Sequence, residues 1–136
     1  MSYTALVLKE ESRQALFDMR TLAVPFAHHM TVMLGDRLEG LSRKAPFFHP
    51  QDIGKTFRLV VTGLGRSPNI EAVVVTLLDS DGRHVQYGIS QNKVPHVTIS
   101  TDGQTKPFKG NELLEKGFDQ IEDGLVLDAV LQIVYD

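Results

Sequence analysis

Two stretches, Ala27-His28-His29-Met30-Thr31-Val32-Met33-Leu34 and Pro95-His96-Val97-Thr98-Ile99-Ser100, decide how this chain reads. In each, His-x-Thr is followed by an aliphatic residue, inside a β-prone run closed by turn formers: Gly35-Asp36 after the first and Thr101-Asp102-Gly103 after the second. Side chains alternate along a strand, so each histidine shares a face with its threonine while Met30, Val32, Val97 and Ile99 pack behind. Each strand thus presents an imidazole beside a hydroxyl. By the same alternation His28 points away from His29 and reads as structural. A doubled motif of this kind arises by chance in about one such sequence in a hundred. The two copies are far enough apart in the chain to belong to different halves of one domain, facing each other across a cleft.

Outward from these strands, residues 3–8 read as a strand. A polar stretch over 9–13 follows, from which Ala15, Leu16 and Met19 continue at helical spacing. Ser12 is the expected N-cap, and Pro25 limits the helix. Residues 37–51 mix Gly40, Pro46 and Pro50 with Phe47, Phe48 and His49, which predicts an irregular connection with its aromatic rings tucked under the fold. Residues 55–64 and 70–78 are β-rich runs around the turn cluster Gly65-Arg66-Ser67-Pro68-Asn69 and should pair antiparallel. Ser80-Asp81-Gly82 makes the next tight turn, and 84–89 returns as a strand. Residues 111–116 form a short helix ended by Gly117, and 125–135 close the chain as a long strand. Strands and helices mix without βαβ spacing, which predicts an α+β domain over 1–136, with antiparallel sheets and helices outside.

The bulk numbers narrow the chemistry. With 42% hydrophobic and 23% charged residues in 136, one ordinary globular core is expected. A net charge of −3 argues against a surface that grips long nucleic acids by neutralising many phosphates, and leaves a small ligand or a chain end. The absence of cysteine excludes disulfides, thiolate metal sites and a cysteine nucleophile. No apolar run reaches the roughly 20 residues that span a bilayer, and the N-terminus has no signal-peptide pattern, so the expectation is a soluble, cytoplasmic protein. His49 and His84 have no partner at metal-ligand spacing, and Gly63-Leu64-Gly65 reads as a strand end rather than a phosphate loop.

His29-Met30-Thr31-Val32 and His96-Val97-Thr98-Ile99 resemble the paired signature of the 2H phosphoesterases. Lys106-Pro107 and Asn111-Glu112-Leu113-Leu114 also resemble a segment that follows the second motif in some members. The resemblance implies a bilobal fold, two antiparallel sheets forming a central cleft, with one motif on each lobe and no cofactor or metal. It implies hydrolysis of 2′,3′-cyclic phosphates on RNA ends or nucleotides, or of related 2′–5′ or cyclic phosphodiesters. His29 and His96 would act as acid and base, and Thr31 and Thr98 would bind phosphoryl oxygens. The chemistry stands on its own as well: an imidazole titrates near neutrality, so two can divide proton donation and proton removal, in either order. Tyr3 and Tyr87 are candidates to stack on a base, and Lys93 to steer a phosphate toward the cleft. Two rival readings use the same cleft. One is an enzyme degrading cyclic oligonucleotide messengers in a defence or counter-defence setting; the other is a non-catalytic module that binds a nucleotide or RNA terminus.

Overall fold

The computed structural model describes residues 1–122 and 124–135. In chain order the strands are β1 (Ser2–Leu8), β2 (Val24–Pro25), β3 (His29–Leu34), β4 (Thr56–Arg66), β5 (Ile70–Leu78), β6 (His84–Val85), β7 (His96–Thr101), β8 (Asp119–Gln120) and β9 (Val126–Tyr135). The helices are α1 (Glu10–Phe17), α2 (Leu41–Lys44) and α3 (Gly110–Lys116), with 3-10 turns at Leu38–Gly40, Pro50–Asp52 and Pro107–Lys109.

Six strands join in the order β7-β3-β1-β9-β4-β5, and β5 pairs back onto β7, so the antiparallel sheet closes into a barrel. The short strands attach outside this ring: β2 on β7, β6 on β5 and β8 on β4. Two separate sheets were expected, and the structure corrects this. β7 pairs with β5 from Thr101 to His96 and also meets β3 at Met30↔Val97, which welds the halves into one ring. Such a closure removes the exposed edges that two open sheets would leave.

The alternation that predicted the strands also fills the barrel. Leu6, Met30, Val32, Leu59, Val61, Val73, Val75, Val97, Ile99, Leu127 and Leu131 form one buried cluster. Each side chain of this size contributes about 1.5–3 kcal/mol by leaving water. Outside the ring, α3 lies on β5, where Leu114 packs with Ala72 and Val74 in a second, smaller cluster. Gly65 permits that approach, since a Cβ there would stand 2.7 Å from a Leu114 methyl.

Several local expectations shift. Helix α1 starts at Glu10 behind Lys9, and Ser12 lies inside it, where its Oγ accepts the Asp128 backbone N–H at 2.7 Å instead of capping the helix. The connection over 37–51 holds short helical turns, with Phe48 buried and edge-on to Phe47 and Phe57. The strand expected over 84–89 is only His84–Val85.

One buried charge organises the wall next to the second motif. Glu71, with no exposed surface, accepts hydrogen bonds from Thr21 N (2.6 Å), Thr21 Oγ1 (2.9 Å), Ser100 Oγ and Arg66 Nε (3.0 Å). Burial alone would raise its carboxyl pKa, but the donors from Ser100, Thr21 and Arg66 together outweigh burial and hold it below the ordinary value. Glu71→Ala strands these donors, and the expected loss is about 3 kcal/mol, read as a lower urea midpoint. Because the folded pKa is depressed, the wild-type contribution is full above the unfolded pKa and disappears as pH falls through the folded one. The variant should therefore lose this part of the acid sensitivity.

Candidate active site

The weld between β3 and β7 is also where the two His-x-Thr motifs meet. Met30 and Val97 are ladder partners and both point into the core. Antiparallel counting from that pair sets Thr31 opposite His96 and His29 opposite Thr98, all four on the outer face. These four side chains line one cavity of about 750 Å³. Tyr3 and Leu34 wall one side; Pro107, Phe108 and Asn111 wall the other; Phe26, His28, Gln91 and Asn92 complete the lining.

Alternation was expected to turn His28 away, and here the structure corrects the reading. From Pro25↔Ser100 to Met30↔Val97 the chain advances five residues on one side and three on the other. The surplus is taken up at Ala27, whose φ of +47° is unusual for a residue with a Cβ. His28 and His29 therefore both face the cavity, with their Nδ1 atoms 3.0 Å apart, so one ring donates to the other. Burial, and then the nearby Arg13 guanidinium, lower the pKa of His28. Arg13 also donates to Phe26 O, fixing the backbone at this end of the cleft. The Tyr3 ring lies 4.7 Å from that of His29, tilted by 32°.

His96 sits deeper, 7% exposed, with Nδ1 2.8 Å from Val94 O. A carbonyl only accepts, so Nδ1 carries the hydrogen and the neutral ring presents a bare Nε2. Burial lowers the His96 pKa; the Val94 bond pulls the other way and is outweighed. Thr98 Oγ1 donates to Pro107 O at 3.1 Å, tying the second motif to the turn that walls the cleft. Gly110, at the start of α3, packs against both side chains: a Cβ there would lie 3.0 Å from Thr98 Oγ1 and 3.1 Å from His96 Nε2.

The remaining candidates separate. Tyr3 lies in the cleft. Tyr87 stands 86% exposed and outside the lining, since the strand that would have aimed it stops at Val85. Lys93 is also absent from the lining, although its neighbour Asn92 is present. His84 bonds Thr76 at 2.8 Å, and His49 is exposed beside the 3-10 turn at Pro50–Asp52. Sequence reasoning missed the contributions of Phe26, Leu34, Gln91, Phe108 and Asn111. The residues Lys106-Pro107 and Asn111-Glu112-Leu113-Leu114 had carried a cue for Asn111, whereas Gln91 reaches the site through nonlocal bonds: its N donates to Val32 O and its Oε1 accepts from Leu34 N. Among the described residues, no group of three or more His, Asp or Glu is arranged to hold a metal ion, and no helix is long and apolar enough to cross a membrane.

A mainly antiparallel fold with two His-x-Thr strands side by side defines a protein of the 2H phosphoesterase superfamily. The family model described as the fungal tRNA ligase phosphodiesterase domain matches residues 50–130, more than half of the chain, and the chain belongs to that family. That match contains His96 and Thr98; His29 and Thr31 precede it. Membership supports a phosphodiesterase-type role. Among solved structures, a crystal structure of a fungal RNA kinase shares the fold, with TM-score 0.56 and 14% identity over 97% of this chain. The chain spans 44% of that protein's length. No curated protein matches the sequence.

Proposed function

We propose that this protein hydrolyses 2′,3′-cyclic phosphodiesters at RNA ends or on nucleotides, without a metal ion, using His96 as base and His29 as acid. The observation that carries the reading is the convergence of both His-x-Thr pairs on one cavity at the Met30↔Val97 weld. The assignment of roles, open in the sequence, rests on hydrogen bonding. His96 Nδ1–H is committed to Val94 O, so Nε2 is the lone pair available to take a proton from water. The water oxygen bonds to phosphorus, one P–O bond of the ring breaks, and the departing ribose oxygen takes a proton from His29. In the role of acid, His29 donates Nδ1–H to the His28 ring 3.0 Å away, whose pKa burial lowers, and directs its other N–H at the leaving oxygen. The Thr31 and Thr98 hydroxyls serve the phosphoryl oxygens as charge builds, Thr98 by redirecting the proton it gives to Pro107 O. Tyr3, packed against His29, offers an aromatic face to the base.

The test is a panel of 2′,3′-cyclic nucleotides, an RNA with a cyclic-phosphate end, and cyclic di- and trinucleotides, each with and without EDTA. Ring opening of the 2′,3′-cyclic substrates, unchanged by EDTA, is expected. Binding without turnover would make the chain a binding module, and cleavage of the cyclic oligonucleotides alone would change the substrate class. The acid limb of kcat/KM should fall below the ordinary imidazole value of about 6.5, because a base with a lowered pKa stays unprotonated to lower pH.

A further inference from the structure

A second cavity, about 580 Å³, lies across the 3-10 turn from the cleft. Its walls carry Lys106, Lys109 and Lys116 against a single carboxylate, Glu112, together with the polar side chains of Asn69 and Gln104. This is a local excess of positive charge on a chain whose net charge is −3. Lys109 Nζ lies 3.1 Å from Glu112 Oε1 in an exposed pair, which in water holds it only weakly. The loop leading into the groove is stiffened by Asp102, whose Oδ1 accepts from Gln104 N (2.9 Å) and Thr105 N (2.8 Å).

The same short segment serves both cavities. Pro107 and Phe108 line the cleft, and Lys106 and Lys109 on either side of them line the groove. Phe108 is 63% exposed at the ridge, with Lys109 Nζ 5.5 Å from its ring centroid. An aromatic face next to an exposed, weakly held ammonium is the pairing that single-stranded nucleic acid uses: a base on the ring and its phosphate on the cation. A strand whose reacting end lies in the cleft and which leaves over this ridge meets Lys106 and Lys109, whereas a mononucleotide has no upstream phosphate to offer them. The opposite wall offers Tyr3 and Leu34 and no cation among the lining residues.

We propose that the lysine groove binds backbone phosphate of the RNA strand upstream of the reacting end, making single-stranded RNA the preferred substrate over a free cyclic nucleotide. This rests on the reading of the cleft given above, and the experiment separates the two. Cleavage is measured on a 2′,3′-cyclic mononucleotide and on a five-nucleotide RNA ending in the same cyclic phosphate, across a salt series. The proteins are the wild type, a Lys106→Gln/Lys109→Gln/Lys116→Gln variant, and a control with Arg37, Arg43 and Lys44, which line neither cavity, changed to Gln. The wild type should favour the RNA by about tenfold or more, with a log–log salt slope steeper by about 0.7 per phosphate engaged. The groove variant should lose both the preference and the extra slope while keeping the mononucleotide rate; the control should keep all three. Equal salt slopes for both substrates in the wild type, or a preference that survives the triple change, would overturn the proposal. If the wild type cleaves neither substrate, the cleft reading fails alone. The groove is then judged by fluorescence anisotropy of a five-nucleotide RNA bearing a terminal phosphate, which should bind the groove variant at least tenfold more weakly than the control.

Discussion

His96→Ala should remain folded and cleave a 2′,3′-cyclic phosphodiester at least ~10²-fold more slowly than the wild type, and His29→Ala should do the same, since a positioned acid or base contributes about 10²–10⁴. Neither ring belongs to the barrel core: the cluster inside contains Met30, Val97 and Ile99, while both imidazoles lie on the outer face. Thermal unfolding should therefore change far less than turnover. The double variant should be little worse than either single one, because base and acid act in one concerted displacement and losing one leaves the other without a task. Single-turnover rates on the cyclic-phosphate RNA provide the measurement. A wild-type rate in both single variants would remove the chemistry from this cleft.

Gly110→Ala should separate activity from stability. At the start of α3 an alanine is a better helix residue than glycine, by up to about 1 kcal/mol in a helix interior, so the fold should be no less stable. The new methyl, however, stands 3.1 Å from His96 Nε2 and 3.0 Å from Thr98 Oγ1. It displaces the ring or covers the lone pair that must meet water. A misplacement on the scale of 1 Å costs about 10²-fold, and the expected loss in kcat is about 10- to 100-fold. Gly110→Val should be worse, with kcat and melting temperature moving independently. The measurement is a kcat and Tm pair for each variant.

The strands carrying the site were legible because their information is local. His29, Thr31, His96 and Thr98 fall on one face by alternation, and the apolar residues between them mark the other face as core. The barrel was not legible, because closure depends on which strands pair across long separations, as β5 does with β7 and β1 with β9, and a hydrophobic pattern alone does not name its partner. His28 was misread for a different reason. The bulge that turns it toward the cleft passes through Ala27, a buried residue with positive φ where no glycine or asparagine announces the turn. Tyr87 was assigned to a strand that ends two residues too early to direct it. Gly110 escaped notice because its role is to leave space beside His96, and a missing side chain has no sequence signature of its own.

The single ladder pair between β3 and β7 has a dynamic consequence. β1 and β9 are stitched together from Ser2↔Tyr135 to Leu8↔Ala129, whereas the two motif-bearing strands share the one ladder pair Met30↔Val97. On one side of that pair the seam is held by Phe26 N–H to Ile99 O (2.7 Å) and Ala27 N–H to Thr98 O (2.9 Å), so it should breathe first on the other side, around Thr31, with backbone amides there exchanging deuterium sooner than those of the neighbouring staves. Each such excursion would draw the proposed acid and base apart while the rest of the wall stays intact, so the proposed activity would switch off without denaturation.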